Sequence, residues 1–225
     1  MSKDKSRVLF LGNSHTYWND TPAIFSQICK DCGKEVEVNM IAGPGVMYDG
    51  HLKQRINLRY ALVYGNYEYM IMQQAAHTPL PETEDTIRGA CEIADWAREY
   101  NVQPLQWVPF ARTNKPEEQA GMYDIYNRVH EAAKIPLLPV GNMYEYIKDN
   151  YPEVQLIQTD GCHSSPYGSY LYALCTYAMI FDTDFAAARP VSIEYFGGKY
   201  SNNVELDPEK VDIIKKVVKE YFDAK

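Results

Sequence analysis

Short apolar runs that alternate with longer stretches of helical periodicity limit how this 225-residue chain can fold. Five runs predict strands, the first of them buried, at residues 8–11, 36–41, 69–73, 105–108 and 136–140. Segments of helical character lie at residues 20–32, 49–64, 82–100, 117–133, 166–181 and 207–222. Because such alternation places strands side by side with helices on both faces, we expect a three-layer α/β/α sandwich with a mostly parallel, five-stranded, flavodoxin-like sheet.

Composition and length favour one ordinary globular unit. Apolar residues make up 46% of the chain and charged residues 23%, and no repeat, low-complexity tract or flexible linker interrupts it. A chain of this length buries enough surface to be stable without disulfides or a structural metal. We therefore predict a single domain over residues 1–225. The odd number of cysteines, five, favours a reducing compartment, so we expect a cytoplasmic protein, with a removed export signal as the alternative.

The charge pattern narrows the choice of partners. The formal net charge is −8, and the lysines and arginines are scattered rather than grouped in a basic stripe. Nucleic acid and anionic membranes are therefore not expected to bind. No apolar run approaches the ~20 residues of a membrane helix. The chain has no zinc-binding His/Cys pattern and no phosphate-binding glycine loop, so we expect no metal and no cofactor, only a small-molecule substrate, with the oligomeric state open.

The first candidate for chemistry follows the first predicted strand. In open α/β sheets the ligand site lies beyond the carboxyl ends of the strands. Ser14, in Gly12-Asn13-Ser14, stands at that place just before a helix, where its hydroxyl could attack a substrate. The alternative is a serine that only satisfies the backbone of the turn.

A second candidate lies near the carboxyl terminus. Asp160 precedes His163 by three residues across a glycine, also just before a predicted helix. The carboxylate can fold back onto the ring Nδ1, fix the tautomer and leave Nε2 free as a base. An Asp-x-x-His segment is common by itself, but here it lies at the same sheet edge as Ser14, and the two segments together predict a Ser-His-Asp site.

Donors for a developing oxyanion are present at the ends of the next two strands. Gly45, with Gly43 as the alternative, follows the second strand, where a glycine lets its N–H approach a substrate closely. Gln73, with Gln74 as the alternative, ends the third strand and offers a side-chain amide.

These segments, in this order, resemble the SGNH/GDSL hydrolase superfamily. Gly12-Asn13-Ser14 matches its Gly-Asn-Ser first block, Gly45 its second-block glycine, and Asp160 with His163 its Asp-x-x-His block. The third block departs, because the family usually has Gly-x-Asn-Asp where this chain has Gln73-Gln74; a glutamine-containing branch of the superfamily is the better match. The resemblance extends from about residue 8 to residue 181.

The resemblance implies a serine esterase. Ser14 would be the nucleophile, His163 the base and Asp160 its orienting carboxylate. The oxyanion would be bound by the N–H groups of Ser14 and Gly45 and by the amide of Gln73. The substrate would be an acyl ester, with an acetyl ester favoured, and the aromatic content suggests a carbohydrate-linked ester. The alternatives are a lipase- or thioesterase-like acyl hydrolase, and a catalytically impaired carbohydrate-binding relative. A flavodoxin-like regulator or cofactor carrier is a further, weaker alternative.

Four other polar residues were weighed against this site. His15 adjoins Ser14 but has no evident orienting partner in sequence, so it is the lesser candidate for the base. His77 follows the third strand and could line the pocket. Cys29 and Cys32 have redox spacing, but they lie near a helix end, where the helix dipole disfavours a thiolate.

Aromatic residues cluster near the predicted strand ends. Tyr17, Trp18, Tyr48, Trp107 and Phe110 could form the floor of a substrate pocket, or could simply cover the seams between helices and sheet. We expect most of them to pack in the core and one or two to reach the pocket.

Overall fold

The computed structural model describes residues 5–75, 81–193 and 204–224. Its central sheet has five strands: β1 Lys5–Gly12, β2 Glu35–Ala42, β3 Tyr69–Met72, β4 Gln103–Trp107 and β5 Leu137–Leu138. They are arranged in the order β2-β1-β3-β4-β5, and every pairing is parallel. The predicted five-stranded parallel sheet is thus confirmed, and the carboxyl ends of all five strands meet at one edge.

The inner strands β1 and β3 are apolar because both faces of the sheet are covered there, whereas the edge strand β2 is only partly buried. In β1, Val8 and Phe10 pack into the core on one face, whereas Leu9 and Leu11 pack into the core on the other, and all four are fully buried. Because side chains alternate along a strand, a continuous apolar run requires protein on both sides. Because of this double burial, the first strand can be recognised in the sequence as a continuous apolar run.

Nine helices are described. They are α1 Ser14–Tyr17, α2 Thr21–Asp31, α3 Tyr48–Lys53, α4 Arg55–Gly65, α5 Thr83–Glu99, α6 Glu118–Ala133, α7 Val140–Asn150, α8 Pro166–Ile180 and α9 Pro208–Asp223. The core on one face of the sheet takes its helical residues from α2, α7, α8 and α9, and the core on the other face from α3, α4, α5 and α6. These two helical layers and the sheet between them form the predicted three-layer sandwich.

The structure differs from the sequence-based expectation in four places, the first of which is the one-turn helix α1, which was not predicted. The helix expected at residues 49–64 is broken at Gln54, which ends α3 and precedes α4. The last strand is limited to Leu137–Leu138, because the chain turns at Pro139 into α7, which was not predicted. A short antiparallel pair, β6 Ser192–Ile193 and β7 Val204–Glu205, was also not predicted.

The helix α7 starts against the end of β4. A Cβ at Gly141 would stand 2.1 Å from the Pro109 carbonyl oxygen, so only glycine allows this approach. Within residues 5–75, 81–193 and 204–224, no helix combines the length and the apolar character needed to span a bilayer.

Candidate active site

The nucleophile turn, residues 12–16, joins β1 to α1. The Asn13 side chain accepts a hydrogen bond from the His15 N–H at 3.1 Å and so caps α1, while its amide donates to the Val46 carbonyl at 3.0 Å. Ser14 is therefore the first helical residue beyond the strand. Its place at the sheet edge is set by β1 on one side and by the loop after β2 on the other.

The catalytic loop, residues 158–165, carries the other two candidates. One oxygen of Asp160 accepts the N–H groups of Cys162 at 2.9 Å and His163 at 3.0 Å. Between them Gly161 has φ +70°, and an added Cβ would stand 2.4 Å from the Thr113 hydroxyl oxygen. A left-handed conformation in so close a contact calls for glycine here.

The two segments meet in space. The second oxygen of Asp160 lies 2.7 Å from Nδ1 of His163, and Nε2 of that ring lies 2.9 Å from Oγ of Ser14. A carboxylate can only accept, so Nδ1 carries the proton and Nε2 is free to accept from the serine hydroxyl. The structure thus brings together Ser14, His163 and Asp160 in the order that proton abstraction requires.

The carboxylate of Asp160 is electrostatically suited to stay ionised. Partial burial raises its pKa, but the hydrogen bonds from Cys162 and His163 outweigh burial and hold the pKa below the usual range. A carboxylate that remains charged can orient the imidazole and stabilise it when it takes a proton.

Two rings stack on the His163 imidazole, that of His15 in α1 and that of Trp18 directly after it. The Trp18 ring lies 4.6 Å from it at an interplanar angle of 15°, and the His15 ring lies 5.0 Å from it at 27°. His15 is 3% exposed and Trp18 is 37% exposed, so His163 has a buried ring on one side and a solvent-facing ring on the other. His15 therefore contacts the proposed base instead of replacing it.

The structure places the Gln73 side chain differently from the oxyanion donor that was expected. Its carbonyl oxygen accepts from the Asn13 N–H and from the Thr16 hydroxyl, both at 2.9 Å, and its amide nitrogen donates to the Gln74 carbonyl. The side chain is fully buried and every contact is internal. Gln73 does not present an amide to the substrate side; it fastens the nucleophile turn to the end of β3.

Gln74, the alternative to Gln73, also uses its side chain for hydrogen bonds within the protein. The Gln74 carbonyl oxygen accepts from the N–H groups of Tyr48 and Ala75, and its amide nitrogen lies 3.3 Å from the Thr86 hydroxyl. Neither glutamine, as placed, is the third oxyanion donor that the resemblance implied.

The loop after β2 holds the glycine candidates. Gly45 has φ +61° and is exposed, and the following Val46 is tied to the nucleophile turn through Asn13. Within the described ranges, the N–H groups of Ser14 and Gly45 donate no hydrogen bond to the protein, so both are available to a ligand. Gly43 instead supplies a carbonyl that accepts from Val46 at 3.2 Å.

The remaining candidates resolve into packing roles. Tyr48, Trp107 and Phe110 are at most 2% exposed and pack in the two cores, as expected for most of the aromatic residues. Burial raises the pKa of both Cys29 and Cys32, which disfavours thiolate chemistry there. No group of three or more metal-binding side chains occurs in the described part of the chain, and His77 lies outside it.

Two features of this site were not found from sequence. The fastening role of Gln73 depends on β3 lying beside β1, and the contact of Trp18 with His163 depends on a one-turn helix that only the structure shows. The one available signal was the departure of the third block from Gly-x-Asn-Asp.

Similarity to known proteins is found in three-dimensional structure. No protein-family model and no curated protein sequence matches the chain. A Slackia heliotrinireducens protein described as a candidate SGNH hydrolase superposes with a TM-score of 0.66 at 21% identity, covering 76% of this chain and 97% of that one. The esterase EstA from Pseudoalteromonas sp. gives 0.60 at 12%, covering 78% and 96%. A Clostridium thermocellum family 3 carbohydrate esterase gives 0.59 at 12%, covering 77% and 94%. At these identities the shared property is the fold, and the fold of this chain is that of the SGNH/GDSL hydrolases.

Proposed function

We propose that this protein is a serine esterase that hydrolyses short acyl esters through Ser14, His163 and Asp160. The observation that carries the proposal is the unbroken path from the serine hydroxyl to the imidazole at 2.9 Å and on to the carboxylate at 2.7 Å. Groups that far apart in sequence meet in hydrogen-bonding geometry at the edge of the sheet where α/β enzymes bind ligands.

The reaction proceeds by acyl transfer to the serine and then to water. His163 takes the hydroxyl proton through Nε2 as Ser14 Oγ bonds to the ester carbonyl carbon. The tetrahedral intermediate collapses, the C–O bond to the alcohol breaks, and the imidazolium returns the proton to the leaving oxygen. Water, activated by the same imidazole, then releases the acid and restores the serine. Asp160 keeps the ring in the required tautomer throughout.

Two backbone N–H groups are proposed to bind the oxyanion. Those of Ser14 and Gly45 have no acceptor among the described residues, and each such donor is worth roughly 3 kcal/mol of barrier. Gln73 contributes indirectly, because its side chain holds the nucleophile turn that positions Ser14.

The substrate class follows from the openness of the site. The side chains of Asp160 and His163 are 41% and 21% exposed, and Trp18 offers a solvent-facing ring beside the base. An open site flanked by an aromatic ring suits a short acyl group on a small or carbohydrate-linked alcohol, since sugar rings pack on aromatic faces. The carbohydrate esterase and the esterase among the structural neighbours are consistent with this class.

The decisive experiment compares the wild-type protein with Ser14→Ala on a p-nitrophenyl ester series and on acetylated sugars. We expect highest turnover on acetyl esters, loss of at least ~10³-fold in kcat for the variant, and unchanged thermal unfolding, because the hydroxyl is replaced without disturbing the turn. Near-full turnover by Ser14→Ala would remove the serine from the mechanism, and a preference for long acyl chains would favour a lipase-like enzyme.

A second candidate is a relative that binds an ester or a sugar but turns it over poorly. The observation in its favour is that both Gln73 and Gln74 are bonded internally, which leaves two oxyanion donors in place of three. A fluorophosphonate probe separates the two candidates: stoichiometric labelling of Ser14 supports the esterase, and no labelling supports the binding protein.

A further inference from the structure

A cavity of about 420 Å³ lies beside the segment that leads into the catalytic loop. It is bounded by the residues after β4, by the start of α6, by α7 and by residues 152–157, and neither Ser14 nor His163 lines it. Its volume falls in the range of small-molecule sites, about 300–1,000 Å³. It is thus a space of ligand size that the proposed reaction does not use.

The floor of the cavity is apolar and rigid. Phe110, Tyr144, Val154 and Leu156 line it and are at most 5% exposed. The rings of Phe110 and Tyr144 stack face to face with centroids 3.9 Å apart and an interplanar angle of 2°. A floor of this kind suits the hydrocarbon or aromatic body of a ligand.

The charged side chains around the floor are two cations and one carboxylate, and one of the cations, Lys148, lies 3.5 Å from the Asp149 carboxylate. Arg112 and Lys148 both line the cavity, in a chain whose net charge is −8. The buried Nε of Arg112 has no hydrogen-bond partner in the described part of the chain. Glu145 is the acidic residue of the lining, and its carboxylate accepts from the Tyr123 hydroxyl at 2.8 Å. The guanidinium is therefore left to bind an anionic group.

We propose that this cavity is a second ligand site, and that it binds small carboxylates with an apolar body. The carboxylate would be held by Arg112, whose planar guanidinium matches it, with Lys148 adding charge at the opening. The body would lie on the stacked rings of Phe110 and Tyr144. The lining of the site does not include Ser14 or His163.

The walls of this cavity hold the catalytic loop in place. The Tyr144 hydroxyl donates to Ser164, and the Thr113 N–H donates to the Gly161 carbonyl, at 2.9 and 3.0 Å. The Leu156 carbonyl accepts the Ser165 N–H at 2.8 Å. A ligand on these walls thus contacts the residues that position Asp160 and His163, which gives occupancy of the cavity a physical route to the active site.

The test is calorimetric titration of 4-phenylbutyrate and of its neutral amide, 4-phenylbutyramide. We expect the carboxylate to bind at least tenfold more tightly than the amide, and Arg112→Gln to remove that preference. Lys115→Gln is the matched control. It removes a positive charge from the same segment between β4 and α6, but Lys115 does not line the cavity. Equal affinity for the two compounds, or an unchanged preference in Arg112→Gln, would overturn the proposal.

A second variant separates the cavity from the active site. Gln155 is an exposed lining residue, and Gln155→Trp fills the opening while keeping the backbone that bonds Ser165. We expect this variant to lose binding of both compounds and Ser14→Ala to keep it. Retained binding in Gln155→Trp would place the ligand elsewhere and refute the site. Since binding is read without turnover, failure of the esterase proposal would leave this result unaffected.

Discussion

The nucleophile turn and the catalytic loop face each other across the site, and they are held by opposite means. In the turn, Asn13, His15 and Thr16 are at most 3% exposed, and the key partner of Asn13 and Thr16 is Gln73, about sixty residues away. In the loop, the bonds that shape Asp160 run to residues two and three positions later, and the side chains remain partly exposed. The serine is thus positioned by distant core contacts, whereas the pairing of Asp160 with His163 is set by local chain geometry within a loop that distant residues anchor.

This contrast explains what could be predicted from the sequence. The pairing of Asp160 with His163 was predictable, because a carboxylate three residues ahead of a histidine across a glycine needs only one tight turn to reach it. The β1 strand was equally predictable from its buried apolar run. These are features in which sequence neighbours determine the structure.

The features that were missed depend on distant contacts. The structure gives Gln73 another role than the expected one, because its carbonyl oxygen accepts from the Asn13 N–H and the Thr16 hydroxyl, which the pairing of β1 with β3 brings within reach, and its amide nitrogen donates to the Gln74 carbonyl. The start of α7 was missed because it rests on the close approach of Gly141 to the Pro109 carbonyl. In both cases a local pattern was overridden by tertiary packing.

A substitution that disrupts the catalytic loop and leaves the packed core intact should have the largest effect on activity. Asp160→Asn places an amide N–H against Nδ1 of His163, which favours the wrong tautomer, so we expect kcat/KM to fall about 10³–10⁴-fold. The remaining carbonyl oxygen still accepts from Cys162, so the melting temperature should change little. Steady-state kinetics and calorimetry check both expectations, with the exposed Asp95→Asn as control. A loss below tenfold would contradict the role of Asp160.

Breaking the turn should lower stability and activity together. Gln73→Met keeps the volume but leaves the buried Asn13 N–H and Thr16 hydroxyl without an acceptor, at a cost of about 1–3 kcal/mol each. For a chain of this size that lowers the melting temperature by roughly 5–20 °C. We also expect kcat to fall by about 10², because the serine is displaced.

The control for Gln73→Met is Gln27→Met, which removes an amide that donates to Asp31, one helical turn away. It should leave both unfolding and turnover near wild-type values. If Gln73→Met lost activity at an unchanged melting temperature, the residue would act on the substrate and not on the turn.

Trp18, the residue directly after α1, stacks on the proposed base, and its removal should have an intermediate effect. Trp18→Leu deletes the ring stacked on His163, an interaction worth about 1–2 kcal/mol once the imidazole is charged, so we expect kcat to fall roughly 5–30-fold. Trp18→Phe should recover most of this. Tyr64→Leu, which removes a ring that is 74% exposed, is the control. A change in KM alone, or no recovery by phenylalanine, would contradict a positioning role.

The smallest effect is a loss of stability on acidification. We expect the buried nucleophile turn to be destabilised at a higher pH than the exposed catalytic loop. His51 Nε2 donates to the Gly12 carbonyl at 3.0 Å; burial lowers the pKa of His51 below 6.5, outweighing this bond. The unfolded chain then takes up the proton first, so the stability contributed by His51 is complete above pH 6.5 and is lost as pH falls below it. The lowered pKa of Asp160 keeps its contribution intact down to about its ordinary value of 3.8.

Melting temperatures measured between pH 7.5 and 4.5 test this order. We expect the wild-type protein to lose stability from about pH 6.5 downward and His51→Gln, whose amide can still donate to Gly12, to show a flatter profile. Lys53→Gln, on the exposed side of the same helix, should follow the wild-type curve. Parallel curves for His51→Gln and wild type would show that the acid response arises elsewhere, and that the turn is not the first of the two segments to weaken.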